Sequence, residues 1–194
     1  MSDNRTPSSL TLRPASESDT SAIREILDEP RLARRHLSGG IAELHPVEWT
    51  LKRRTFGVRL NGELFGSVDL KQDEDESTQW ELSVVLNDHK RSLDGARSAI
   101  AGVFYAFQIL KAQAVSFWAP TDNQLIQTFA EQVGFSQLNT LKAPGGHSVR
   151  VFELTRAGWR TAQDGRLALF LADSVDVYVG GGVWRGQGKG FSEL

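Results

Sequence analysis

The 194-residue sequence contains no cysteine. That absence excludes disulfide scaffolds, Cys-ligated zinc, iron–sulfur clusters and thiol nucleophiles. An excess of one charge is also missing: Lys and Arg total 22 against 24 for Asp and Glu, a formal net charge of -2. No global field draws such a chain onto a phosphate backbone or an anionic membrane, so neither nucleic acid nor membrane is expected as a partner. No apolar run approaches the roughly eighteen residues of a membrane span. Residues 1–9 are polar and lack the apolar core of a signal peptide, so a cytoplasmic location is the expectation. His36, His45, His89 and His147 show no His-Glu-x-x-His spacing, and neither a Gly-x-Ser-x-Gly elbow nor a Gly-x-x-x-x-Gly-Lys loop occurs. No metal site is expected, and serine-hydrolase and P-loop chemistry have no support. What is present is ordinary globular usage, 40% hydrophobic and 24% charged, enough for one domain with a small appendage.

The hydrophobic pattern predicts the elements. Leu10-Thr-Leu-Arg-Pro14 reads as a short strand, and Ser18 with Asp19 as the cap of a helix carrying Ala22, Ile23, Ile26 and Leu27 on one face. Residues 31–54 are basic and broken by Gly39-Gly40 and Pro46, and read as a second helical segment and a loop. Phe56, Val58 and Leu60, then Asn61-Gly62, then Leu64, Val68 and Leu70, predict a hairpin with a type I′ turn. Trp80, Leu82, Val84 and Leu86 predict a strand whose other face carries Glu81, Ser83, Val85 and Asn87. Apolar steps of three and four from Ala96 to Leu110 predict a long helix over 95–111. Residues 114–118 read as a buried strand ended by Pro120. A helix follows, with Thr121 and Gln124 as a capping box, Leu125, Ile126, Phe129, Ala130 and Val133 inward, and Gly134 as its stop. Residues 135–141 and 148–154 predict two more strands. The expectation is an α/β (mixed α+β) domain over 10–158 after a disordered 1–9, with a C-terminal extension over 159–194 of strands and a Gly-rich docking end.

Several surface features have a plain reading beside a functional one. Asp73, Glu74, Asp75 and Glu76 could attract a basic substrate, but a solvated turn is the commoner fate of such a run. Arg31, Arg34, Arg35, Lys52, Arg53 and Arg54 could meet an acidic partner, against the default of a solvated face. In the tail, Gly180-Gly-Gly182, Gly186, Gly188 and Gly190 could suggest nucleotide binding, but no helix is expected after Gly190 to receive phosphates. Trp184 and Phe191 are instead candidate anchors for a second subunit or an assembly partner through 163–194, against a tail that covers the domain's own sheet edge.

The element order resembles the GCN5-related N-acetyltransferase (GNAT) fold, a central mixed sheet flanked by helices. Leu10-Thr-Leu-Arg13-Pro14-Ala15 with Asp19 is similar to that family's opening. Glu81-Leu-Ser-Val-Val-Leu86, running on through Arg91-Ser-Leu-Asp94-Gly95-Ala96, resembles its acetyl-CoA segment, and Asn123, Phe129, Glu131 and Gly134-Phe135 resemble its second cofactor element. The spacing is closest to the branch that acetylates ribosomal-protein N-termini. The resemblance implies acetyl-CoA as acyl donor and an amine-bearing substrate, a small molecule or a protein N-terminus. It implies Glu81 as general base with Ser83 orienting substrate, and Val84, Val85, Leu86, Arg91, Ser92, Gly95, Ala96 and Asn123 as cofactor-binding residues. Backbone N–H groups at a helix start suit a diphosphate, and Gly95 and Ala96 would allow close approach. The chain departs from the family in two places. Asp94 stands where the pattern has its first glycine, and Ala130 where many members carry a tyrosine. The alternative expectation is a catalytically inactive subunit with this fold, docked into a larger assembly through its C-terminal tail.

Overall fold

Alternating apolar residues build a mixed sheet whose order among the described strands is β10-β9-β8-β1-β2-β3-β4-β5-β7-β6. The computed structural model describes residues 10–28, 50–87, 92–142, 148–163, 175–179, 182–185 and 191–193. The strands are β1 (Leu10–Pro14), β2 (Arg53–Leu60), β3 (Glu63–Gln72), β4 (Gln79–Leu86), β5 (Ala114–Pro120), β6 (Ser136–Lys142), β7 (Ser148–Thr155), β8 (Val175–Val179), β9 (Gly182–Arg185) and β10 (Phe191–Glu193). The helices are α1 (Glu17–Asp28), α2 (Ser92–Gln108), α3 (Gln124–Val133) and α4 (Arg156–Gln163). No helix among the described residues is long and apolar enough to cross a membrane. Pairing is antiparallel except at β1–β8 and β4–β5.

One face of the sheet carries the main core. Leu12, Phe56, Val68, Leu70, Leu82 and Phe117 pack there against α2, α3 and α4, whose Val103, Phe107, Ala130 and Trp159 are buried. Gly102 lets α2 approach closely, since a Cβ there would meet Leu82 Cδ1 at 2.8 Å and Val68 Cγ1 at 2.9 Å. α1 lies on the opposite face, where Ile26 packs on Val85 and Arg59 Nη2 holds Asp19 Oδ1 at 2.6 Å. Partial burial alone would raise the Asp19 carboxyl. The Ser16 amide and hydroxyl, with Arg59, outweigh it and hold the group below its ordinary value.

The hairpin expected at Asn61-Gly62 is present, with φ of 53° and 91° at those two residues. Other local expectations are corrected. The cap of α1 is Ser16, two residues earlier than expected, because its amide and hydroxyl both donate to Asp19 Oδ2 at 2.9 Å. Arg53 and Arg54 lie in β2, not in a helical segment or loop; residues 29–49, with Arg31, Arg34 and Arg35, lie outside the described residues. Leu64 does not continue the inward face of β3. A register shift between Val58 and Arg59 moves the alternation on, so that Phe65 packs on the core instead. The cap of α3 is Asn123, whose Oδ1 accepts from the Ile126 amide at 3.3 Å, and Leu125 is 62% exposed. Gly134 ends α3 in the left-handed conformation, as expected, at φ 92°.

α4 is unannounced by the sequence pattern. Its first residue, Arg156, donates from Nε to the Ala112 carbonyl at 2.9 Å and from Nη2 to the Phe107 carbonyl at 2.8 Å. A cation is thus seated on a last-turn carbonyl of α2 and on the Ala112 carbonyl in the loop that follows it. β8 then returns to pair in parallel with β1, burying Val177, while Arg13 stacks over the Tyr178 ring at 4.2 Å.

Candidate functional site

The parallel strands β4 and β5 are joined only at their start. Their register runs Gln79↔Ala114, Trp80↔Val115, Glu81↔Ser116 and then ends. Beyond that row, among the described residues, each strand is paired on its outer side alone. β4 stays paired with β3 up to Gly66↔Leu86, and β5 with β7 up to Pro120↔Val149. The sheet therefore opens between residues 82–86 and 117–120, leaving two strand edges that do not pair with each other. The carboxyl ends of parallel strands at such a break are where open α/β sheets accept ligands. Two helices, α2 and α3, begin at that end, each with first-turn N–H groups that lack an intrahelical acceptor.

Close packing sets the line of β4. A Cβ on Gly66 would lie 2.1 Å from the Val85 carbonyl oxygen and 2.8 Å from Leu86 Cα, so β3 presses against β4 where only glycine fits. Gly66→Ala is expected to cost about 1–3 kcal/mol of stability, read by urea unfolding, because backbone must shift rather than a side-chain tip.

Glu81 stands in the last joined row, at the base of the opening. It points away from the main core, to the face that α1 shares. Across that face the row reads Arg53, Lys71, Glu81, Ser116, Glu153. Among the described residues Glu81 makes no ion pair or hydrogen bond. Burial raises its carboxyl above the ordinary value; Asp69 and Asp73 add to the rise, and Lys71 and Arg53 oppose it. A half-buried carboxyl raised in this way is a better proton acceptor than an ordinary glutamate. Ser83 follows on the same face, opposite Asp69. On the β5 side Trp118 is half-buried.

The remaining sequence-predicted residues are less uniform. Val84 packs against the main core, Val85 against Ile26, and Leu86 is buried, so all three offer the opening their backbone rather than their side chains. Gly95 and Ala96 lie in the first turns of α2, as does Ser92. A Cβ on Gly95 would meet only Leu86 Cδ1, at 3.5 Å, so internal packing does not require glycine there. The side chain of Asn123 is engaged in capping α3. Arg91 and His89 lie outside the described residues, as do His36, His45 and His147. Asp94 is buried, with Oδ1 3.5 Å from Arg97 Nη1, and the Ser98 hydroxyl donates to its carbonyl at 2.7 Å. Its carboxylate runs along the helix toward a cation one turn on. Ala130 is wholly buried in the core.

The acidic run forms a solvated turn in which Asp73 Oδ1 accepts from the Asp75 and Glu76 amides, both at 2.9 Å. No group of ligating residues that could hold a metal is found among the described residues. Sequence reasoning missed the clamp around Asp69. Arg53 Nη2 meets Asp69 Oδ2 at 2.8 Å, Arg53 Nε donates to Oδ1 at 3.0 Å, and the Thr55 hydroxyl donates to Oδ1 at 2.7 Å. Its signal was the alternation of β2 and β3, which places these polar residues on the face of Glu81.

No family model matches the chain, and no curated protein matches it by sequence. Among solved structures it is similar to the spermidine N-acetyltransferase of Vibrio cholerae in complex with CoA and spermine. The TM-score is 0.63 at 19% identity, over 78% of this chain and 98% of that one. It is also similar to the aminoglycoside acetyltransferase AAC(6')-Ib in complex with coenzyme A and kanamycin, with TM-score 0.59 at 17% identity over 79% and 98%. A third match, described as a putative acetyltransferase, has TM-score 0.59 at 20% identity over 79% and 89%. The mixed sheet flanked by helices is the fold of the GCN5-related N-acetyltransferases.

Proposed function

We propose that this chain transfers an acetyl group from acetyl-CoA to a primary amine by direct attack. The observation that carries the reading is the opening between β4 and β5 with Glu81 at its base, unpaired among the described residues. The resemblance of residues 81–96 to an acetyl-CoA segment supports it, as do solved structures of the same fold that hold coenzyme A. The residues present fit the donor. The free edge of residues 82–86 offers N–H and C=O groups to an amide-rich arm as an added strand would. The first turn of α2 offers N–H groups to phosphate, with Gly95 leaving space above it and Arg97 countering Asp94. Bound acetyl-CoA supplies a thioester carbonyl activated toward amines. Glu81 takes the proton that the amine must lose, Ser83 orients the acceptor, and backbone N–H groups of β4 stabilise charge developing on oxygen; as the new C–N bond forms the C–S bond breaks, and coenzyme A leaves as the thiol. The acceptor is a small amine or a protein N-terminus; the spacing that resembles the ribosomal-protein branch supports the latter.

Thermal unfolding with acetyl-CoA tests the reading. Ligand at a hundredfold excess over Kd adds about 2.7 kcal/mol, a rise in Tm of roughly 5–10 °C for a chain of this length. Gly95→Ala separates packing from binding. It should raise stability by about 0.4–1 kcal/mol, because alanine is the better helix former and finds room, while shrinking the acetyl-CoA shift because the methyl group occupies the approach.

Asp94 favours a second reading, an inactive GNAT-fold subunit of an assembly held by its C-terminal tail. A buried carboxylate in the first turn of α2 opposes a diphosphate. A Tm shift with acetyl-CoA in Asp94→Gly but none in the native chain would assign the protein to that reading.

A further inference from the structure

Two cations share the cross-strand row of Glu81, and neither is paired with it. Lys71 sits directly opposite Glu81, yet its Nζ lies 3.6 Å from Glu74 Oε1. Arg53, the next residue along the row, is held by both oxygens of Asp69 at 2.8 and 3.0 Å, with the Thr55 hydroxyl fixing the same carboxylate at 2.7 Å. The side chains of Arg53 and Asp69 are 18% and 16% exposed, so solvent screens their fields little. Asp69 is also a diagonal neighbour of Glu81, since Lys71 pairs with Glu81 and Asp69 with Ser83. Diagonal neighbours across a strand pair lie about 7–8 Å apart, within electrostatic reach in a half-buried setting.

We infer that Asp69 is a positioning residue for the site: it sequesters the Arg53 guanidinium and so keeps the Glu81 carboxylate free of a cation and basic. The inference rests on Glu81 being the base of the proposed reaction. Among the described residues the other charged groups facing Glu81 are accounted for. Lys71 is drawn toward Glu74, Asp73 lies in the exposed turn, and Glu153 stands beyond Ser116 in the same row. β5 carries no titratable side chain. On α1, Asp19 is tied to Arg59 near the hairpin end of β2, and Glu17, Arg24 and Glu25 are exposed. The directions in which Asp69 and Arg53 act on the Glu81 carboxyl, up and down respectively, agree with this arrangement.

The test is to titrate the Glu81 carboxyl by carbon-detected NMR in the full chain, alongside the pH dependence of kcat. Asp69→Asn removes one anion and releases Arg53 toward Glu81, so the Glu81 midpoint should fall by on the order of half to one pH unit. Arg53→Gln removes the cation and leaves Asp69 unneutralised, so the midpoint should rise. The double variant should return close to the native value. A clamp that serves only to hold β2 to β3 would lower Tm in both single variants and leave the midpoint in place, and that result overturns the proposal. Should Asp69→Asn fail to fold, a midpoint in Arg53→Gln that does not rise overturns it equally. The NMR titration needs no turnover. If the ordered shifts appear in a chain that acetylates no amine, the clamp stands and the catalytic reading of Glu81 falls. If kcat is measurable, its acid limb must move with the midpoint.

Discussion

Glu81→Gln is expected to lower kcat by about 10²–10⁴-fold at neutral pH, the range that a positioned general base contributes. KM for the acceptor should change little, since glutamine keeps the shape of the side chain and Glu81 makes no hydrogen bond or ion pair among the described residues that the change would break. The native acid limb of kcat should lie above the ordinary carboxyl range, because burial, with Asp69 and Asp73, raises Glu81. Below that limb the carboxyl holds its own proton and cannot accept another. Stability should move the opposite way. A carboxyl whose value is higher in the folded than in the unfolded state contributes stability that is full below its unfolded value. That contribution is lost as pH rises through the raised one. Native stability therefore declines across the window just above 4.5, the ordinary value for glutamate, and Glu81→Gln should remove the decline. A variant that loses most of its activity and none of its stability marks a functional group. Activity within threefold of native would remove Glu81 from the mechanism.

Trp159→Ala should cost about 3–5 kcal/mol, the range for emptying an aromatic site in a packed core. Trp159 is 1% exposed and stacked on Phe107, with ring centroids 5.6 Å apart at 20°. Phe107 belongs to α2, and Arg156, one turn before Trp159, is bonded to the Phe107 carbonyl. α4 thus fastens the C-terminal end of the helix whose first turn borders the opening. Losing the ring leaves a void that rigid strands cannot collapse to fill. Trp159→Phe is the informative control. The Trp159 Nε1 group is buried and has no hydrogen-bond partner among the described residues. Phenylalanine removes that unsatisfied donor, a gain of about 1–3 kcal/mol that offsets much of the lost ring area. The two variants should therefore separate by several kcal/mol in urea unfolding. A small cost for Trp159→Ala would mean that α4 is not part of the cooperative unit.

Local signals made most of the framework legible: periods of two and 3.6 residues marked the inward face of β4 and the long helix, and residues that tolerate positive φ marked the hairpin at Asn61-Gly62 and the stop at Gly134. The same alternation was enough to place Glu81 and Ser83 on one face of β4. Local signals failed where a partner chosen by the fold took over. Asn123 became the cap of α3 because its side chain reached the Ile126 amide, although Thr121 is chemically as able, and Ser16 became the cap of α1 because the Asp19 carboxylate reached back to its amide and hydroxyl. Leu125 matched a helical stripe yet faces outward, since the stripe of α3 rotates to bury Gln127, which donates to the Thr121 carbonyl at 2.7 Å.

By itself the sequence determined which residues could alternate, coil or turn, because those preferences are written in neighbouring side chains. It also determined, through the absence of cysteine and of any paired histidine spacing, which chemistries had no ligands to build on. Only the tertiary structure decided where β4 and β5 part, because the end of a ladder depends on what each strand meets on its far side, here Gly66 and Val149. It alone decided that Asp69 answers Arg53 and that Arg97 answers Asp94. It alone decided that β8 extends the sheet beside β1. Pairing across strands, and the burial that sets the basicity of Glu81, are properties of distance in space, which spacing along the chain does not encode.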